Sequence, residues 1–149
     1  MGPTEKRGQL LSWLMFVATG VGPYSGQAVH FRHFAPEGLD YAVKRYTRET
    51  ARHYEVLDQH LEERTYLVDP AFTIADMALW GWAEAAHMPL GDDPFAAYPN
   101  VKRWYETVSA RPAAQRARKV GENIAFKTNV DEEAKRYLFP QTHAGPAGE

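Results

Sequence analysis

Thr73 and Asp76 stand three residues apart at the head of an apolar run, and a hydroxyl beside a carboxylate can activate a nucleophile or hold a proton. The same spacing is that of a helix cap. The Thr73 hydroxyl can accept from the backbone N–H of Asp76 while the carboxylate returns to the N–H of Thr73, answering two orphan donors. The pair is therefore read as a structural cap. Phe72 and Met77 have the spacing of a hydrophobic staple around it. His30 and His33 share a helical face and could form half of a metal site, but with no cysteine and no nearby carboxylate pair, no metal is expected. His53 and His60 read as packing or surface residues. Arg45 can pair with Glu49 on the next turn, an exposed contact worth a few tenths of a kcal/mol. Arg111, Arg116, Arg118 and Lys119 read as charge at a helix end rather than a phosphate site. Phe16, Tyr24, Phe31 and Phe34 admit two readings, the wall of an apolar pocket or plain core. No Ser-His-Asp set, phosphate loop or dinucleotide motif is present.

The elements that must carry these residues are helical. An apolar stretch from Leu10 to Ala18, with Thr4 as its cap, meets Gly20, Gly22 and Pro23, where a kink or loop is expected. A second helical piece follows and stops at Ala35-Pro36-Glu37-Gly38. From Leu39 to Arg64, Val43, Tyr46, Thr50, His53 or Tyr54, Leu57 and Leu61 recur at helical steps among charged residues, an amphipathic helix of about seven turns. The run from Thr73 is apolar all round, so a fully buried central helix is expected, ending near His87-Met88-Pro89. Pro99 opens another helix and Arg111-Pro112 a short one. A last short helix spans Asp131 to Leu138, and Pro140 to Glu149 reads as disordered. No segment alternates as a strand would, which implies an all-α bundle of about five or six helices.

With 149 residues, 44% of them hydrophobic, the chain can bury one substantial core. A net charge of −2 gives no field for nucleic acid or an anionic membrane surface. The absence of cysteine removes disulfides and thiolate nucleophiles and fits a reducing compartment. No stretch approaches the ~18 apolar residues of a membrane span, so a soluble cytoplasmic protein is the expectation.

The string Phe72-Thr73-Ile74-Ala75-Asp76, followed by Tyr98-Pro99-Asn100-Val101-Lys102-Arg103-Trp104 and Arg111-Pro112-Ala113, resembles the central helix and next segment of the C-terminal domain of glutathione S-transferases. Gly20-Val21-Gly22-Pro23, Gly26-Gln27-Ala28-Val29-His30-Phe31, Ala35-Pro36-Glu37 and Lys44-Arg45-Tyr46-Thr47-Arg48-Glu49-Thr50 narrow the likeness to the Nu-class branch, related to the fungal nitrogen-regulator prion protein. Asp131-Glu132-Glu133-Ala134-Lys135 with Leu138-Phe139 resembles the tail of that branch. The likeness runs over roughly residues 8 to 142.

The resemblance implies a glutathione S-transferase C-terminal-like helical domain over residues 1–126 and a tail over 127–149. Such enzymes join a thioredoxin-like α/β domain, which supplies most of the glutathione site, to a helical domain that walls the second substrate and contributes to dimerisation. No βαβ pattern precedes Leu10, so this chain is expected to lack the first domain and to be inactive alone. Joined to one, it would serve a glutathione transferase or a glutathione-dependent disulfide-bond reductase, with glutathione as co-substrate, a small electrophile or disulfide as second substrate and a homodimer as a possible assembly. The alternative is a non-catalytic dimerisation or partner-docking module. Arg45 of the Arg45-Tyr46 pair matches the arginine that reaches a glutathione carboxylate, while Phe16, Tyr24, Phe31 and Phe34 straddle the broken first helix, the part that would face the missing domain, and could line a pocket for an apolar second substrate. Ala18 stands where some members carry a glutamine that helps to hold glutathione.

Overall fold

The computed structural model describes residues 4–35, 38–125 and 130–140, and the regular elements among those residues are helices, with no strand. In order they form α1 (Thr4–Phe16), a π-helical segment (Val17–Val21), α2 (Gly22–His33), α3 (Asp40–His60), α4 (Ile74–Glu84), α5 (His87–Leu90), α6 (Pro99–Ser109), α7 (Pro112–Arg118) and α8 (Glu132–Leu138). The all-α reading holds, and its longer helices are α1, α2, α3, α4 and α6. The chain divides into two compact units, Met1–Gln115 and Arg116–Glu149. The first holds the core: Val17, Val21, Tyr54, Leu57, Leu61, Leu67, Leu79, Val101, Trp104 and Val108. In the second, Gly121 takes a positive φ of 90° after α7, and Asp131 caps α8 by accepting from Ala134 N (2.9 Å). The expected disorder toward the C-terminus falls on residues 141–149, which lie outside the described residues.

The glycines and proline at 20–23 do not break the first helix into a kink or loop. The chain stays helical but widens for a turn, with the N–H of Gly22 reaching the carbonyl of Val17. Pro23 explains the widening: inside a regular helix its ring would press on the carbonyl four residues back, and a π turn moves that group aside. The glycines are there for approach. A Cβ on Gly20 would collide with the His53 ring at Nε2, and one on Gly22 would lie 3.0 Å from the Trp82 ring.

At the head of α4 both halves of the capping box are formed. Thr73 Oγ1 accepts from Ala75 N (3.3 Å), and Asp76 Oδ2 accepts from Thr73 N (2.9 Å) and Thr73 Oγ1 (3.1 Å). Asp76 is fully buried, and its other oxygen accepts from Leu67 N (2.9 Å) and Trp104 Nε1 (3.0 Å). One carboxylate thus ties the start of α4 to the incoming connector and to α6. Thr73→Ala is expected to cost about 1 to 2 kcal/mol, read from the urea midpoint, because the cap loses one acceptor while Asp76 keeps its own.

The expectation that α4 is buried all round is corrected. Ala75, Asp76, Leu79 and Ala83 are buried, whereas Ile74 is 52%, Met77 53% and Trp82 39% exposed. An apolar helix can still have an outer face when the domain it belongs to is thin there, and α1 beside it likewise exposes Leu11 (49%) and Met15 (54%). Met77, the far member of the expected staple, is thus on the exposed side of α4. Phe72 packs edge-on to Tyr66 (5.6 Å), with the Arg111 guanidinium 3.8 Å over its ring. Arg111 therefore does more than balance a helix end.

Helix α6 is set on α3 by Asp58, whose Oδ1 accepts from Asn100 N (2.7 Å) and Val101 N (2.9 Å), an N-cap supplied by another helix. Pro99 occupies the first turn, where no N–H is needed. In return Arg103 donates to the carbonyls of Leu61, Glu62 and Arg64 at the end of α3. These ties fix α3, the helix that carries Arg45 and its neighbours.

Candidate ligand site along the third helix

Helix α2 packs on α3, and the residues between them form a row of rings. Phe16 lies 5.2 Å from His53, and Tyr24 is stacked on the other side of the row at 5.4 Å from the same imidazole. Tyr24 lies 6.1 Å from Tyr46, and Tyr46 stacks parallel to Phe31 at 5.3 Å. Three of the four aromatics singled out from sequence thus belong to one continuous row, joined by Tyr46 and His53. Phe34 sits just past the end of α2, edge-on to His33 (6.3 Å).

His53 is nearly enclosed, 3% exposed, and its Nδ1 lies 2.7 Å from the carbonyl of Glu49. A carbonyl only accepts, so Nδ1 carries a proton. The opposite edge of the ring rests on Gly20, which is why that position has no side chain.

Arg45 stands over Tyr24, its guanidinium carbon 6.0 Å from the ring centroid. Its Nη1 is 3.4 Å from Glu49 Oε2, the surface pair expected from spacing, and its side chain is 48% exposed. The spacing did not single out Arg52, which holds the same carboxylate more tightly. Arg52 Nε and Nη2 reach Glu49 Oε1 at 3.0 and 2.6 Å. Arg45, Glu49 and Arg52 follow each other at helical steps of four and three, so two cations straddle one carboxylate on one stripe of α3. Arg52, Tyr46 and His53 are the site residues that sequence reading missed; their positions relative to Arg45 were the available signal.

Glu49 is pulled from 4.5 to about 2, first by its hydrogen bond from Arg52 and against the opposing effect of partial burial. A carboxylate depressed in this way adds stability that is complete above its ordinary range and is lost as pH falls from about 4.5 toward about 2. The contribution is small because solvent screens the partners. A carbon-13 carboxyl titration should place the Glu49 midpoint near 2, and Arg52→Gln should move it upward. A Glu49 midpoint in the ordinary carboxylate range would remove the pairing.

The remaining candidates hold the fold together instead. His33 Nε2 donates to Met88 O (3.0 Å), while the ring of His30 lies edge-on to Phe31 (5.2 Å). His60 Nε2 donates to Leu67 O (2.9 Å) under the Trp13 ring (4.0 Å), and burial lowers its basicity. Thr73 and Asp76 are spent on the cap. Ala18 is an exposed residue of the π segment. No described helix is long and apolar enough to cross a membrane. What the α3 stripe offers is a guanidinium fork for a carboxylate beside an aromatic wall.

The glutathione S-transferase, C-terminal domain, family profile matches residues 16–112. The chain is 41% identical over 114 residues to the disulfide-bond oxidoreductase YfcG of Escherichia coli (strain K12), covering 76% of this chain and 52% of that protein. It is 37% identical over 121 residues to YghU of the same organism, also a disulfide-bond oxidoreductase, covering 76% of this chain and 41% of that protein. Among solved structures, glutathione transferase URE2P6 from Phanerochaete chrysosporium, in complex with oxidized glutathione, superposes with a TM-score of 0.77 at 32% identity, covering 83% of this chain and 57% of that one. The chain spans about half the length of the curated relatives it matches.

Proposed function

We infer, from the premise that this chain belongs to the glutathione S-transferase C-terminal domain family, that it forms the second-substrate side of a glutathione-dependent enzyme. The reaction is conjugation of glutathione to a small electrophile or reduction of a disulfide by glutathione. The observation that carries this reading is the guanidinium of Arg45 beside the Phe16, Tyr24 and Phe31 row. One feature suits the carboxylate end of a tripeptide and the other an apolar or disulfide partner.

The thiol in this chemistry is glutathione's own. In disulfide reduction its thiolate attacks one sulfur of the substrate and the other sulfur leaves as a thiolate that takes up a proton. A second glutathione thiolate then resolves the mixed disulfide, releasing oxidised glutathione and the remaining substrate thiol. A chain without cysteine is fitted to this role, because it binds and orients reactants and forms no bond to sulfur. A thioredoxin-like domain completes the glutathione site in this reading. The exposed apolar side chains Leu11 and Met15 on α1 and Ile74 and Met77 on α4 support a surface for that domain. A homodimer in the cytoplasm is the assembly that goes with it.

Calorimetry tests the reading. The chain alone should bind glutathione and oxidised glutathione only weakly, and fusion to a thioredoxin-like domain should restore affinity. In the fusion, Arg45→Ala should weaken glutathione by roughly 10- to 100-fold, the equivalent of losing one hydrogen bond between charged groups. Unaltered affinity with an unaltered fold would remove Arg45 from the site.

A further inference from the structure

We propose that Arg45, Glu49 and Arg52 form a slot for a single carboxylate, in which Glu49 is a resident counter-ion that sets the charge the slot accepts. The proposal rests on the reading that Arg45 takes a glutathione carboxylate, and it adds two positioning residues and a rule of selection.

The three groups lie at different depths. The Glu49 side chain is 16% exposed, against 48% for Arg45 and 49% for Arg52. The anion is the floor and the two cations are the rims. Arg52 grips the floor through two nitrogens, at 3.0 and 2.6 Å, whereas Arg45 touches it through one, at 3.4 Å. Arg52 is thus committed to Glu49, and Arg45 keeps most of its five donors for something else. Tyr24 under Arg45 limits where that guanidinium can swing.

Charge then decides what fits. Two guanidiniums over one carboxylate leave one unbalanced positive charge. The neighbouring Arg48 is paired with Glu55 (3.3 Å) and adds none. A ligand carboxylate neutralises the slot while Glu49 stays in place. A phosphate dianion would leave it negative, or would have to displace Glu49 from its tighter partner. The slot therefore prefers the carboxylate of a peptide-like ligand to phosphate, and the preference comes from Glu49 rather than from Arg45.

The test is a nitrogen-15 titration of the chain, reading the Arg45 and Arg52 Nε–H signals with S-methylglutathione and, separately, inorganic phosphate at mildly alkaline pH, where phosphate is mostly the dianion. Wild type should bind S-methylglutathione at least fivefold more tightly than phosphate. Glu49→Gln should erase or invert that ratio by freeing the second cation, and Arg52→Gln with Glu49 intact should weaken both anions together. Arg45-dependent binding with the ratio unchanged in Glu49→Gln overturns the slot and leaves the Arg45 reading standing. S-methylglutathione binding that survives Arg45→Ala overturns both, whereas no response of either guanidinium to any probe overturns the slot alone, because the Arg45 reading is decided by the calorimetry of the fused protein.

Discussion

Asp76→Ala is expected to destabilise the chain by about 3 to 5 kcal/mol, well beyond the loss from removing Thr73 from the same cap. The carboxylate is fully buried and accepts from four donors: Leu67 N, Thr73 N, Thr73 Oγ1 and Trp104 Nε1. Alanine would leave the Leu67 amide and the Trp104 indole without an acceptor in a dry interior, where each unsatisfied group costs about 1 to 3 kcal/mol. The cap of α4 is lost in addition, and with a domain of this size stable by about 5 to 15 kcal/mol, a large share of the total is at risk. Asp76→Asn keeps one accepting oxygen and turns an amide toward the remaining donors, so it should fall between alanine and wild type. The measurement is urea unfolding followed by tryptophan fluorescence, which also reports on Trp104. A loss below about 1 kcal/mol for alanine would mean that water or another acceptor takes over.

The same residue marks how far the sequence could be read. That Thr73 and Asp76 cap α4 was legible, because a capping box is a local pattern with a fixed spacing. That Asp76 also anchors Trp104 from 28 residues away was not, because nothing local distinguishes a carboxylate with two partners from one with four. The all-α class followed from helical periodicity on α3 and α6 and the lack of alternation. The single exposed face of α4 did not, since a helix with no polar stripe carries no periodic signal to say which side is out. At the candidate site, Arg45 with Glu49 could be paired from spacing, and the family likeness gave Arg45 a role. Arg52 and His53 are set by which face of α3 meets α2, a tertiary fact that composition does not encode.

Gly20 shows the converse, a residue that looked like a helix breaker and is a point of contact. Gly20→Ala in the middle of a helix ordinarily stabilises by about 0.5 to 1 kcal/mol through a stiffer unfolded chain and better helix propensity. Gly26→Ala should do that, because its Cβ would meet nothing within 4 Å. At Gly20 the sign reverses. The new Cβ would collide with His53 Nε2 and stand 2.7 Å from Cδ2, well inside van der Waals contact. The imidazole has little room to retreat: Phe16 lies 5.2 Å and Tyr24 5.4 Å from it, centroid to centroid, and Nδ1 is held by Glu49 O at 2.7 Å. Overpacking of this kind costs about 1 to 3 kcal/mol and outweighs the propensity gain, so a net loss of about 1 kcal/mol is expected. His53→Ala alone should also destabilise, by opening a cavity, but the double variant should lose less than the two single losses added together, because each change makes room for the other. Near-UV circular dichroism should change with Gly20→Ala and not with Gly26→Ala, since only the first displaces the ring that joins Phe16 to Tyr24. Equal stabilisation by both alanines would mean that the π segment does not lie against α3, and the aromatic row beside Arg45 would lose its middle member.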